Sequence, residues 1–168
     1  MPQEYSADSR QENIETKLFL NITCHSSGRM AATRAGKLLE EHNLPFREYD
    51  QEDRNENVCK TIMFKRKDGV RLAVLIPLTL RVSYKKLKAH YNQDVSPLSP
   101  DELRAEGFEP HECAPMLMHC ELIVDPQCLD KEPIRTGSGT IGYGIEWRFS
   151  DLASLKSFLV LDVHEDRT

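Results

Sequence analysis

Two apolar runs separated by three residues constrain this chain more than any other feature. Val58 to Arg66 and Val70 to Ile76 flank Lys67-Asp68-Gly69. Asp-Gly between hydrophobic runs is a strong hairpin signal, because glycine supplies the positive φ of a tight turn without steric cost. Pro77 ends the second run, since proline cannot donate to a strand ladder.

Shorter elements surround this hairpin. Leu18, Leu20 and Ile22 alternate between Lys17 and Cys24, as in a strand with one buried face. Ser26 or Ser27 then caps a helix across Met30, Ala31, Ala35, Leu38 and Leu39, and Pro45 follows its end. Ser83 caps a short helix through Leu87 and His90, while Ser99-Pro100-Asp101-Glu102 is a capping box with proline first, closed by Gly107. Leu122-Ile123-Val124, Ile134 to Thr136 and Tyr143 to Phe149 read as strands, and Ser150 starts a last helix carrying Leu152, Leu155 and Phe158. Residues 1–13 are almost devoid of apolar side chains and are expected to be a mobile arm. The expectation is an α+β fold: one domain over 14–168, with a central mixed β-sheet flanked by helices.

Composition narrows the class. With 39% hydrophobic and 29% charged residues among 168, the chain is of ordinary soluble type, neither fibrous nor wholly disordered. No run approaches the roughly 18 apolar residues that cross a bilayer, and the polar start is unlike a secretory signal, so a cytoplasmic protein without a membrane partner is expected. Five scattered cysteines suggest reduced thiols rather than a disulfide framework. The formal charge is −5, yet Lys60 to Lys88 holds nine basic residues against Asp68 alone. That stretch suits either a track for a phosphate backbone or the solvated face of a hairpin and helix.

Four places can carry chemistry. Period-two alternation puts Lys60 on the face of Val58, Ile62 and Phe64, where a buried ammonium must be paired, shifted in pKa, or held toward a substrate; the alternative is that Cys59, Thr61, Met63 and Lys65 form the buried face. The loop Gly107 to Pro115 has two prolines and no alternation. Such a rigid loop can aim several backbone N–H groups at one oxygen, though an ordinary connection is the commoner outcome. His111, Cys113, His119 and Cys120 fall within ten residues, but their spacing matches no standard zinc motif and no metal is expected; Cys113 with His111 could also form a nucleophile and base. Gly137-Ser138-Gly139, followed by Gly142 and Gly144, lets backbone approach a ligand closely, or is a plain hairpin turn.

In order along the chain, Lys60-Thr61, the hairpin, Val74-Leu75-Ile76-Pro77, Lys85-Lys86-Leu87, Asp101-Glu102-Leu103, Gly107-Phe108-Glu109 with Pro115, Gly137-Ser138-Gly139 and Asp151-Leu152 resemble the YbaK and prolyl-tRNA synthetase editing-domain family over roughly residues 58–156. Upstream, two alignments compete. Either Cys24-His25 and the following helix match the family's first strand and pocket helix, leaving 43–57 as an insertion, or the helix and Pro45 to Asp50 are its opening helix and strand. The first is preferred, and it brings His25 to the pocket.

The resemblance implies a cofactor-free aminoacyl-tRNA deacylase that takes the 3′ end of aminoacyl-tRNA, with an aminoacyl-tRNA synthetase as a further partner. Lys60 would orient the terminal nucleotide. Backbone amides of the loop through Gly107, His111, Cys113, Ala114 and Pro115 would hold the carbonyl or a water, with Thr61, Gly137, Ser138 and Gly139 completing the substrate pocket. Relatives usually carry glycine at the position of His111 and a polar residue at that of Gly144. Those departures motivate the alternative of an inactive tRNA- or synthetase-binding module.

Overall fold

The computed structural model describes the backbone of residues 3–5 and all atoms of 31–50 and 57–166. The strand expected over Lys17 to Cys24, and Ser26, Ser27 and His25, lie outside the described residues.

The hairpin forms as its sequence requires. Strands β3 (Cys59–Arg66) and β4 (Arg71–Pro77) pair antiparallel with Lys60 opposite Ile76 and Phe64 opposite Leu72. Gly69 takes φ +91° at the turn, where its N–H donates to the Arg66 carbonyl at 2.9 Å. Strands β5 (Val95–Pro97), β6 (Glu121–Val124) and β9 (Phe158–Val160) extend this pair. Within the segment expected to be an arm, β1 (Gln3–Tyr5) pairs antiparallel with β9. The six-stranded order is β1-β9-β6-β4-β3-β5, parallel across β4-β6 and β6-β9 and otherwise antiparallel, so the sheet is mixed as expected.

A second sheet was not anticipated as a separate unit. Strands β2 (Phe46–Asp50), β7 (Ile134–Gly137) and β8 (Tyr143–Trp147) form an antiparallel sheet in the order β2-β8-β7. Residues 46–50 are therefore a sheet strand rather than an excursion, which favours the second of the two upstream alignments. The two sheets meet where Val58 bridges Arg135 and the Arg135 N–H donates to the Asn57 carbonyl at 3.0 Å.

Both faces of the first sheet are buried, and period-two alternation sorts its residues between them. Cys59, Met63, Ala73, Leu75, Leu122 and Val124 join Leu39, Ile145, Trp147 and Leu152 in one core. Phe64, Leu72, Val74, Ile76 and Ile123 join Leu87 and Val163 in the other. Helices α2 (Tyr84–Tyr91) and α3 (Pro100–Ala105) are capped by Ser83 and by the Ser99–Glu102 capping box, as read from the sequence.

Two helices differ from expectation. Helix α1 spans Arg34–Glu41 and its cap is Thr33, whose hydroxyl accepts from the Gly36 N–H at 3.0 Å, in place of Ser26 or Ser27. The Glu48 carboxylate takes the Ala32 and Thr33 N–H groups at 3.1 and 2.7 Å, which holds the chain extended until that point. Helix α4 is only Leu152–Leu155. A 3-10 turn over Phe149–Asp151 precedes it, and the Ser150 hydroxyl accepts from Arg148 instead of capping. Phe158 lies in β9, because 158–160 bury alternate side chains beside β6 and Phe158 packs edge-on to Phe149 with ring centres 5.8 Å apart. Among the described residues no helix is long and apolar enough to cross a membrane.

Candidate functional site

A cleft opens where the start of β3 meets the second sheet. Lys60 and Thr61 of β3, His111 and Cys113 of the 107–115 loop, and Gly137 of β7 all line it. Three stretches distant in sequence therefore contribute to one wall.

Their convergence has a steric cause at glycine. A Cβ at Gly137 would lie 2.6 Å from the Cys113 carbonyl oxygen, so only glycine lets β7 run against the loop. The Gly139 N–H donates to the Glu112 carbonyl at 2.7 Å and fastens the following turn to the same loop. Helix α1 locks the other side: the Ala35 N–H donates to the Ser138 carbonyl at 2.9 Å, and the Arg34 guanidinium to the Gly107 carbonyl at 2.6 Å while covering the Phe108 ring.

The expected site residues thus divide. Ser138 and Gly139 sit behind the wall, and the Ser138 hydroxyl donates to the Tyr143 carbonyl at 2.7 Å. Gly107, at φ +92°, marks the far end of the loop. Ala114 and Pro115 are buried at the start of a 3-10 turn over Pro115–Leu117.

Several groups in the cleft have polar capacity to spare. The Lys60 ammonium is half-buried, and no carboxylate pairs with it among the described residues. Burial first, and the nearby Arg81 charge second, hold its pKa below the usual lysine value. The Thr61 hydroxyl is buried without a partner among the described residues. In the loop, the N–H groups of Cys113 and Ala114 donate to no protein acceptor among the described residues, although both residues are buried. Buried unpaired amides are rare in proteins and call for a ligand or water.

Cys113 is not poised as a nucleophile. Burial, with the charge of Glu112 second, pushes its thiol up to about 11, so the reactive thiolate is scarce at neutral pH. His111, Cys113, His119 and Cys120 form no potential ligand group in the described residues; Asp125, Asp162 and His164 do, far along the chain, and there His164 Nδ1 is already bonded to Asp125 at 2.8 Å.

The basic stretch is largely neutralised. Lys65 pairs with Glu102 at 2.7 Å, Arg71 with Glu106 at 3.0 Å, Lys88 with Asp94 at 3.0 Å, Arg66 with Asp68, and Lys86 with Asp162 and Asp166. Lys60, Lys67, Arg81 and Lys85 have no such partner among the described residues, and of these Lys60 lines the cleft with the Arg81 charge near it.

Gly144, noted in the glycine-rich turn, also lines the cleft, as do Tyr49 and Thr136, which the sequence reading did not place at a site. Tyr49 on β2 stands opposite Gly144 on β8, and its ring lies where a Gly144 side chain would be. The Arg135 guanidinium covers that ring at 4.5 Å. The missing side chain at Gly144 is thus offset by an aromatic from the neighbouring strand. Reading Pro45 to Asp50 as a strand of the second sheet would have exposed this pair.

Residues 50–155 match the family model described as aminoacyl-tRNA editing domain. Among solved structures, the hypothetical protein APE2540 superposes with TM-score 0.67 at 18% identity, over 77% of this chain and 97% of its own. A protein proposed to be a trans-editing enzyme for prolyl tRNA synthetase superposes with TM-score 0.63 at 18% identity, over 76% of this chain and 92% of its own. No curated protein sequence matches the chain.

Proposed function

Since the chain belongs to the aminoacyl-tRNA editing domain family, we propose that it is a trans-acting deacylase that hydrolyses the ester of mischarged aminoacyl-tRNA. The observation that carries this reading is the pairing, in one cleft, of the Lys60 ammonium with the buried Cys113 amide, neither of which has a protein partner among the described residues. A neutral ester needs positioning and oxyanion stabilisation more than a strong nucleophile. In this mechanism Lys60 holds the phosphate of the terminal nucleotide, and the amides of Cys113 and Ala114 receive the carbonyl oxygen as it gains charge. Water attacks the carbonyl carbon, and the ribose hydroxyl departs. Thr61, Thr136 and Gly137 bound the space for the acyl group. The likeness in fold to a protein proposed to serve prolyl tRNA synthetase makes tRNA charged by that synthetase the first substrate to try.

Deacylation over a panel of correctly and wrongly charged tRNAs, including mischarged proline tRNA, tests the reading. Wild type should hydrolyse at least one mischarged species, and Lys60→Ala should lower kcat/KM by about 10²-fold or more. Equal rates for the two proteins would remove Lys60 from the mechanism. The second reading, a non-catalytic module that binds tRNA or a synthetase, is favoured by the Tyr49 ring over Gly144, which fills part of the cleft. It predicts tRNA retention without turnover.

A further inference from the structure

His111 occupies a backbone position that asks for another residue. The Glu112 N–H donates to the Glu109 carbonyl at 3.1 Å, closing a four-residue turn with Pro110 second and His111 third, and His111 has φ +70°. Proline at the second position excludes the mirror-image turns, so this is a type II geometry, whose third position favours glycine or asparagine. The other described non-glycine residues at positive φ, Asn43 and Asn92, are both asparagines that follow helix ends, where a left-handed residue is the normal stop. His111 ends no helix. A side chain retained in an unfavourable backbone conformation at a cleft is a signal of function.

What the imidazole can do follows from its neighbours. It lines the cleft, is exposed, and makes no hydrogen bond among the described residues. It stands two residues before the free amide of Cys113, so one loop supplies both a proton acceptor and oxyanion donors. The remaining titratable groups of the cleft are poorly suited to take a proton. Lys60 is assigned to the substrate phosphate, the Cys113 thiol is held protonated by burial, the Cys59 thiol is buried against Cys128, and the Tyr49 ring is packed under Arg135.

Resting on the editing reading above, we propose that His111 is the general base of the deacylation. An imidazole nitrogen takes a proton from the attacking water as its oxygen bonds to the ester carbonyl carbon. The imidazolium returns that proton to the ribose oxygen as the ester C–O bond breaks, leaving the free amino acid and a tRNA with its terminal hydroxyl restored.

His111→Gly separates this role from a structural one, because glycine is the residue the turn prefers. With the mischarged tRNA that wild type hydrolyses fastest, His111→Gly should melt no lower than wild type, lose about 10²-fold in kcat with KM little changed, and regain on the order of tenfold when free imidazole fills the vacated space. His111→Asn, which also accepts the left-handed conformation, should show the same loss without recovery. Full activity in His111→Gly overturns the role, as does an effect confined to KM or a loss that imidazole leaves unrestored. A wild type inactive on every charged tRNA overturns the editing reading itself and this role with it.

Discussion

Lys60 on β3 of the first sheet and Lys86 on helix α2, which packs against it, meet opposite surroundings. The Lys86 ammonium sits among Asp162 Oδ1 at 2.9 Å, Asp166 Oδ1 at 2.9 Å and the His164 carbonyl at 2.8 Å. Beside it the fully buried Asp125 carboxylate accepts from the Val163 and His164 N–H groups at 3.1 Å each and from His164 Nδ1 at 2.8 Å. Every strong group there has a partner, and the result is a clamp that fastens the last residues over the second core. At the cleft, among the described residues, the Lys60 ammonium has no carboxylate, the Thr61 hydroxyl no bond, the Cys113 amide no acceptor and the His111 imidazole nothing to hold. The two lysines are shifted in opposite directions accordingly, Lys86 upward by its carboxylates and Lys60 downward by burial. Saturated polar clusters specify a fold, whereas unsaturated ones wait for a ligand.

The contrast is broken most severely at Asp125. Asp125→Ala strips the backbone N–H groups of Gln127, Val163 and His164, and the His164 ring, of their acceptor in a buried place and should cost about 3 kcal/mol of stability. Urea unfolding would measure it, and deacylation per folded molecule should be unchanged, since the clamp is not part of the cleft. A loss of activity without loss of stability would mean that the clamp and the cleft are not separate regions.

Thr61 gives a smaller effect of opposite sign. Its hydroxyl bears the desolvation cost of an unmade hydrogen bond, so the near-isosteric Thr61→Val should raise stability by about 1 kcal/mol. If the hydroxyl serves the substrate, the same change should lower kcat/KM by roughly tenfold. Destabilisation by valine would instead indicate that a protein partner or water already satisfies this oxygen.

Much of the framework was legible in local sequence. Asp68-Gly69, Ser83 and the Ser99–Glu102 box each carry a signal that acts within four residues, and each forms as read. The second sheet was not, because pairing of Phe46–Asp50 with Tyr143–Trp147 joins strands almost a hundred residues apart. Thr33 was passed over as a cap for a similar reason: the Glu48 carboxylate that helps hold it comes from another element. At the cleft, alternation placed Lys60 on the Ile62 and Phe64 face but gave no hint that both faces are buried. The glycines at 137, 139 and 144 were visible as a cluster, yet only the contacts of Gly137 with the Cys113 carbonyl and of Gly144 with Tyr49 say why two of them must be glycine.

The smallest effect concerns alkaline pH and tests the opposition of the two lysines directly. A raised pKa in the folded state means that Lys86 contributes stability in full below the ordinary lysine pKa of about 10.5 and loses it as pH climbs through its own higher value. Lys60 runs the other way. Folding holds its ammonium at a disadvantage, so the unfolded chain binds more protons between the lowered and ordinary values, and stability rises with pH across that window. In wild type the two trends oppose one another. Lys86→Met should remove the alkaline loss and leave a urea midpoint that climbs towards pH 10, while Lys60→Met should leave one that only falls. The ion pairs of Lys86 with Asp162 and Asp166 are solvent-exposed and screened, so both slopes should be shallow and should flatten in high salt. If the two variants give the same slope, the lysines share one kind of environment, and Lys60 is then no more available to a substrate phosphate than Lys86 is.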